Sequence, residues 1–331
     1  MAIPIDANPI DVCITIDTEF SIGGAFDDPC LAPVADPVVC CPAGGREHGL
    51  AFLLEVFERF GLKATFFVEA LNAAWFGPDA MGSHARLIHA RGHDVQLHLH
   101  PCWLHFRRPD WRSDLSAAAI NDSCSGRAPA ELAEMLEYGL RVFAEWGLPR
   151  PIALRTGNLQ VDSTVHAVMA EFGLTLSSSV GLAHRQPEEK ALRLTGGIRR
   201  FGPVAEVPVL SFGQRLFTIA GTGEAEARAV LVQARAKGAS PVVVLTHPFE
   251  FVKVGDDQFT RLRPNRITQR RLRALAAFLA AHPSDFRVTT FRDAAERWLK
   301  GEVAAPDLSA PLLPGVARML TNGLNDRLWW L

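Results

Sequence analysis

The sequence predicts an α/β protein in which a parallel sheet closes into a barrel with its helices outside. Three observations predict it. Short β-branched apolar runs alternate with stretches whose apolar residues recur at helical spacing. Seven or eight such units follow one another, which favours a barrel over an open sheet. Polar residues able to do chemistry follow directly on several of the runs, at strand ends that a parallel barrel gathers on one face.

Taken in order, VCITI (12–16) is the first strand, and Asp17 and Glu19 lie at its end. Residues 20–45, rich in Gly, Pro and Cys, break the rhythm as a long loop, a place where function often resides. Leu50, Leu53, Leu54 and Phe57 form a helical stripe, with Gly61 at its C-terminal cap. ATFFV (64–68) is the second strand and DVQLHL (94–99) the third, stopped by Pro101. A second long loop spans 101–128. Leu132, Leu136 and Phe143 make the next helix, closed by Gly147. PIAL (151–154) leads to Arg155 and Asn158, and Gly173 closes a further helix. LTLSSS (174–179), VAEVPVL (204–210) and PVVVL (241–245) follow, the last leading to His247. Leu272, Leu275 and Leu279 mark a helix before FRVTT (286–290).

Composition narrows the function. Of 331 residues, 48% are hydrophobic and 21% charged, a globular balance. Lys and Arg number 34 against 36 Asp and Glu, a net charge of −2 that gives no sign of a nucleic-acid partner. The RRLR run at 270–273 reads as a solvated helix face. No apolar run approaches the ~18 residues of a membrane span. The N-terminus lacks a basic start followed by an apolar segment, so the expected compartment is the cytoplasm. The six cysteines show no repeated C-x-x-C and most are read as reduced thiols, with Cys13 in the core. The oligomeric state is left open.

His98 and His100 carry the first chemical signal. Residues i and i+2 of a strand face the same side, so the two imidazoles converge on one point, which is metal-ligand geometry. Asp17, Arg155 and His247 occupy equivalent topological positions, and together the set has the makings of a hydrolytic metal site. His93 begins its strand and reads as structural. His84, His89, His166, His184 and His282 read as surface residues.

The ordered set TIDTE, RGHDVQLHLHP, LRTGN and LTHP resembles the NodB-homology polysaccharide deacetylases, carbohydrate esterase family 4, over about residues 10–295. It is most similar to the bacterial branch associated with lipopolysaccharide synthesis. The resemblance implies a single domain, a distorted parallel (β/α)7-type barrel, with 296–331 as a C-terminal extension packing on it. It also implies a divalent metal, commonly zinc, and removal of N-acetyl (or O-acetyl) groups from an amino sugar or glycan. By the same resemblance Asp17 is the base, oriented by Arg155, and His247 the acid. Asn158 and Trp103 are candidate substrate contacts, with Phe106 and Trp111 beside them as sugar-stacking candidates. The family's usual first motif has two adjacent Asp, whereas here Thr18 follows Asp17; its two metal histidines are usually four apart, a position filled here by Cys102. If Asp17 is reserved as base, Glu19 becomes the third ligand beside His98 and His100, since Asp17 and Glu19 share a strand face; the alternative is that Asp17 itself is the ligand and the base lies elsewhere. Two alternatives are another metal-dependent barrel amidohydrolase or phosphoesterase, and a catalytically weakened glycan-binding protein. The H-x-H pair follows the third strand rather than the first, against the former. The retained Asp17, Arg155 and His247 argue against the latter.

Overall fold

The computed structural model describes residues 8–327. Eight strands coincide with the eight apolar runs: β1 (Ile10–Thr18), β2 (Thr65–Glu69), β3 (Asp94–Leu99), β4 (Ala153–Thr156), β5 (Leu176–Ser177), β6 (Val204–Glu206), β7 (Val242–Thr246) and β8 (Phe286–Val288). Departures from the expected bounds have local causes. Pro151 has no N–H for a ladder, and β4 starts two residues later, where Gln96 Oε1 takes the Ile152 and Ala153 N–H groups at 2.9 Å. Pro208 ends β6 early. β5 stops at Ser177, and Ser178 and Ser179 turn their hydroxyls to Arg155 and to the Thr156 N–H.

The ladders run in the order β7–β1–β2–β3–β4–β5–β6, all parallel, with Arg199–Phe201 antiparallel on β6. β8 pairs with the start of β1, Ile10 opposite Phe286. The seam between β6 and β7 is bridged by residues 209–219, where Leu210 N–H donates to Val243 O at 3.0 Å and Ile219 N–H to Leu245 O at 3.1 Å. The result is a curled, mostly parallel sheet, the distorted single-domain barrel that the sequence predicts.

Helices cover the outside: α1 (Leu50–Phe60), α2 (Pro78–Ala90), α3 (Pro129–Glu145), α4 (Ser163–Glu171), α5 (Glu224–Lys237), α6 (Arg266–Ala281), α7 (Phe291–Trp298) and α8 (Leu312–Arg327). The stripes read from sequence on α1, α3 and α6 are buried. Gly61 caps α1 at φ 63°, a left-handed value that favours glycine.

The period-2 alternation of the strands divides the core in two. Val12, Ile14, Ile16, Phe66, Val68, Leu97, Leu99, Val242 and Val244 pack between sheet and helices. Cys13, Phe67, Ala153, Leu176, Ala205, Val243 and Leu245 fill the barrel interior. Phe291 and Trp298 of α7 close the bottom of this inner core, and Trp298 Nε1 donates to Asp11 at 2.9 Å. Continued upward, the inner parity brings Thr15, Asp17 and Glu19 from β1, His98 and His100 from β3, Arg155 from β4 and His247 after β7 to the barrel mouth.

Two histidines differ from expectation. His166 is buried, not on the surface: its Nε2 lies 3.0 Å from Glu206, and its ring stacks on Phe201. Its helix α4 packs against β6, so this face looks inward. His84 is mostly covered and bonds to Asp36 at 2.9 Å. His93 is structural as expected, its Nδ1 accepting the Ala64 N–H at 3.2 Å. All six cysteines are free thiols. No helix among the described residues is long and apolar enough to cross a membrane. In the C-terminal extension, α8 lies along α5, and the final LWWL, 328–331, falls outside the described residues.

Candidate metal centre and active site

β1 and β3 are separated by one strand, so residues two apart at their ends meet across the mouth. Glu19 Oε2 lies 3.1 Å from His98 Nε2 and 2.8 Å from His100 Nε2. One ligand atom from each of these three residues falls within 4.8 Å of the others. The far nitrogen of each imidazole is already engaged: His98 Nδ1 lies 2.9 Å from the Arg155 carbonyl, and His100 Nδ1 lies 2.6 Å from Asp122 Oδ2. Such outer partners fix the tautomer of a metal-binding imidazole and aim its free nitrogen at the ion.

The charges favour a cation here. Burial works against charging His100, but Glu19 and Asp122 outweigh it and hold the imidazole well above its usual range. Burial likewise works against the Glu19 carboxylate, yet His100 and His98 hold it well below the usual value. Two carboxylates gathered on His100 make a position that a divalent cation would neutralise. Two imidazoles and one carboxylate, leaving further positions open, form a donor set suited to catalytic zinc.

The second half of the site centres on Arg155, fully buried on β4. Its Nη1 donates to Asp17 Oδ1 at 2.7 Å and to Thr15 Oγ1 at 2.9 Å; Nε and Nη2 donate to Ser178 O and Oγ. The guanidinium lies 4.2 Å from the Phe67 ring centroid, which fixes its plane. Asp17 Oδ2 faces His247 Nε2 at 3.9 Å. His247 Nδ1 lies 3.1 Å from Glu250 Oε1, and Thr246 Oγ1 holds the other Glu250 oxygen at 2.6 Å. Burial lowers the His247 pKa, but the Glu250 hydrogen bond and charge, then Glu19 and Asp17, push it up to about 9.

A cavity of about 270 Å³ opens over these groups, lined by Asp17, Glu19, His98, His100, His247 and Glu250 and walled by Leu159, Leu216 and Leu245. A second lobe of about 350 Å³ shares Glu19, His100 and Asn158 and adds Phe20, Trp103, Phe249 and Phe259. Asn158 and Leu159 both take left-handed backbone angles, φ 54° and 52°. For a leucine that conformation stores about 1–3 kcal/mol of strain, a feature that concentrates at functional sites.

The structure thus brings together Asp17, Glu19, His98, His100, Arg155 and His247, and sets Asn158 at the rim, its Nδ2 donating to Asp122 at 2.9 Å. Trp103 lines the second lobe but is only 2% exposed, its ring packed on Phe76 and Phe106. Phe106 and Trp111 are buried with Phe26 in a cluster that folds down the 101–128 loop, rather than standing free to stack on a sugar. Thr18 is buried, and its Oγ1 has no hydrogen-bond partner.

Sequence reading missed three carboxylates. Glu250 stands at i+3 from His247, a spacing open to inspection. Glu69 ends β2 on the inner parity, as Asp17 does on β1; it accepts N–H groups from Leu71, Asn72 and His100, and burial pushes its pKa up to about 8. Asp122 lies in a loop with two other aspartates, Asp110 and Asp114, and carries no local signal that separates it from them.

No family model and no curated protein matches this chain. Solved structures do. A protein of Mycobacterium smegmatis assigned as a polysaccharide deacetylase aligns with a TM-score of 0.57 at 18% identity, over 94% of this chain and 97% of that one. A family 4 carbohydrate esterase from Streptomyces lividans, solved with acetate, aligns over 91% of this chain and 100% of that one at 16% identity, with a TM-score of 0.45. The first of these shows the architecture: this chain has the curled α/β barrel fold of the Mycobacterium smegmatis protein.

Proposed function

We propose that this chain is a metal-dependent hydrolase that removes acetyl groups, N-linked or O-linked, from an amino sugar or glycan. The observation that carries the reading is a carboxylate and an imidazole, Asp17 and His247, facing each other at 3.9 Å beside the Glu19–His98–His100 cluster in one cavity. Glu19, His98 and His100 would hold the ion, zinc being the metal to test first; when bound it supplies Lewis acidity toward water and the acyl carbonyl. The chain's own groups do the rest. Arg155 occupies Asp17 Oδ1, which leaves Oδ2 turned toward His247 as the oxygen that accepts a proton from the attacking water. Glu250 engages His247 Nδ1, so the Nε2 proton faces the reacting centre and passes to the leaving nitrogen or oxygen. Leu159, Leu216 and Leu245 exclude water around the acyl methyl, and Asn158 and Trp103 stand where the sugar would enter.

The resemblance of the ordered motifs to the lipopolysaccharide-associated branch makes a bacterial surface-glycan precursor the first natural substrate to try. A cytoplasmic location and a C-terminal extension docked on the barrel complete the reading. The deciding experiment uses protein stripped of metal and reloaded with zinc, assayed on a chromogenic acetyl ester and on N-acetylglucosamine oligomers. Asp17→Asn should lose about 10³-fold or more in turnover while binding zinc as the parent does. Parent-like turnover in Asp17→Asn, or a parent that binds no divalent metal, overturns the proposal.

A further inference from the structure

Helix α8 is attached the wrong way round for a soluble protein. Its polar residues face the body: Arg318 Nε lies 3.0 Å from the buried Glu226 of α5, and Asn322 accepts from Arg271 of α6 at 2.5 Å; near its end the backbone carbonyl of Asn325 accepts from Lys253 at 2.8 Å. Its apolar residues face solvent. Leu312, Leu313, Val316, Met319, Leu320 and Leu324 are 50 to 87% exposed and recur at helical spacing along one stripe. A contiguous apolar patch of this kind marks a surface that something covers.

Charge identifies the cover. Lys253, which holds α8, sits opposite Arg263 in the hairpin of Val252–Val254 with Leu262–Pro264. That hairpin runs straight into α6, where Arg266 is exposed, Arg270 is exposed and paired with Glu224 of α5 at 2.5 Å, and Arg271 grips α8. Residues 253–273 contain seven Lys and Arg against two Asp, in a chain whose net charge is −2. An apolar helical stripe on a helix that touches this basic segment, too short and too polar on its inner side to span a bilayer, fits the interface of an anionic membrane. A second copy of this chain would match the leucines but would bring the same arginines against themselves. The same hairpin loop carries Phe259, which lines the cavity mouth.

We infer that α8 and the neighbouring basic segment 253–273 form a docking surface for an anionic lipid bilayer, which holds the barrel at the membrane with its mouth beside the interface. The inference stands independently of the hydrolase reading.

The test is co-sedimentation of the full chain with vesicles of phosphatidylcholine containing about 30% phosphatidylglycerol, compared with pure phosphatidylcholine, at low and high salt. Binding should require the anionic lipid and weaken with salt. Leu313→Asp with Leu320→Asp should weaken it at least about tenfold. Arg266→Glu with Arg270→Glu should weaken it similarly. The leucine pair lies on exposed positions, so its melting temperature should match the parent; Arg270→Glu also breaks the Arg270–Glu224 ion pair, so the charge pair is compared with the parent below its own melting temperature. Failure of the parent to bind at low salt, or equal binding by the leucine variant, overturns the inference. So does a parent dimer in sedimentation velocity that the leucine variant converts to monomer without any vesicle binding, which would give the stripe to a second copy.

Discussion

Gly157, in the turn after β4, gives the sharpest test of the proposed metal centre. A Cβ built at this position would sit 2.5 Å from His100 Nδ1, 2.6 Å from Cε1 and 2.9 Å from Cγ, against the flat of the ring. Carbon at ordinary contact needs about 3.5 Å, so the imidazole must retreat by close to an ångström. His100 spans two short contacts, 2.6 Å to Asp122 and 2.8 Å to Glu19, and a shift of that size breaks at least one of them. Gly157 does not use a left-handed backbone, so alanine itself fits the chain path. Gly157→Ala should therefore weaken zinc binding by about 10- to 100-fold, the usual effect of disturbing a ligand's outer support, with a modest change in melting temperature. Competition against a chromophoric chelator reads the affinity directly. In a His100→Ala background the same substitution should have no further effect, because the methyl then has room. Parent affinity in Gly157→Ala, or full additivity with His100→Ala, would refute the placing of His100 as a ligand held by its packing.

Further outcomes follow from other contacts. Glu19→Gln should weaken zinc binding about 10- to 100-fold, while Thr18→Val should leave it unchanged and raise the melting temperature, by about 1 kcal/mol in stability, because it removes a buried hydroxyl without a partner. The rate should fall on the alkaline side as His247 loses its proton. Glu250→Gln removes the first partner that holds that pKa up near 9, and should move this limb of the kcat/KM profile down by about one pH unit. Burial, helped by Lys63 and Arg91, holds His93 down near pH 4. Between the unfolded value of about 6.5 and that value only the unfolded chain binds the proton, so stability present above pH 6.5 is lost on acidification, about 3 kcal/mol by pH 4. Thermal melts across that range should show the loss in the parent and a flatter profile in His93→Gln.

The fold was legible because the barrel strands are buried on both faces and therefore read as continuous apolar runs. What misled was punctuation: Pro151 and Pro208 moved strand ends by two or more residues, and beyond the end of β5 Ser178 serves Arg155 and Ser179 the Thr156 N–H. The proposed site was legible where it obeys strand parity, as with His98 and His100 or Asp17 and Glu19. Asp122 was not, because a loop has no period to read. His166 was misplaced for a related reason: one histidine on a helix does not announce a buried Glu206 forty residues away. The loop aromatics looked like a sugar platform and are largely spent on closing 101–128 over Phe26 and Trp75.

Parity also explains the form of the proposed ligand set. In a strand a side chain moved by one residue changes from the barrel interior to the layer under the helices; moved by two, it stays inside. Thr18 shows the first case: on the parity of Ile14 and Ile16, it is buried with a hydroxyl that finds no partner. An aspartate there, adjacent to Asp17, would need the strand to twist or break before its carboxylate could reach the mouth. Glu19 solves the problem by an even step, with an extra methylene to reach His98 and His100 from beyond the strand end. The even step on β3 has the matching effect, keeping both imidazoles on the inner face, while the Cys102 backbone N–H donates to Asp122 Oδ1 at 3.2 Å. On this argument Glu19 and His100 are matched, because a carboxylate at the end of one strand can share an ion only with an imidazole that the facing strand presents at the same height.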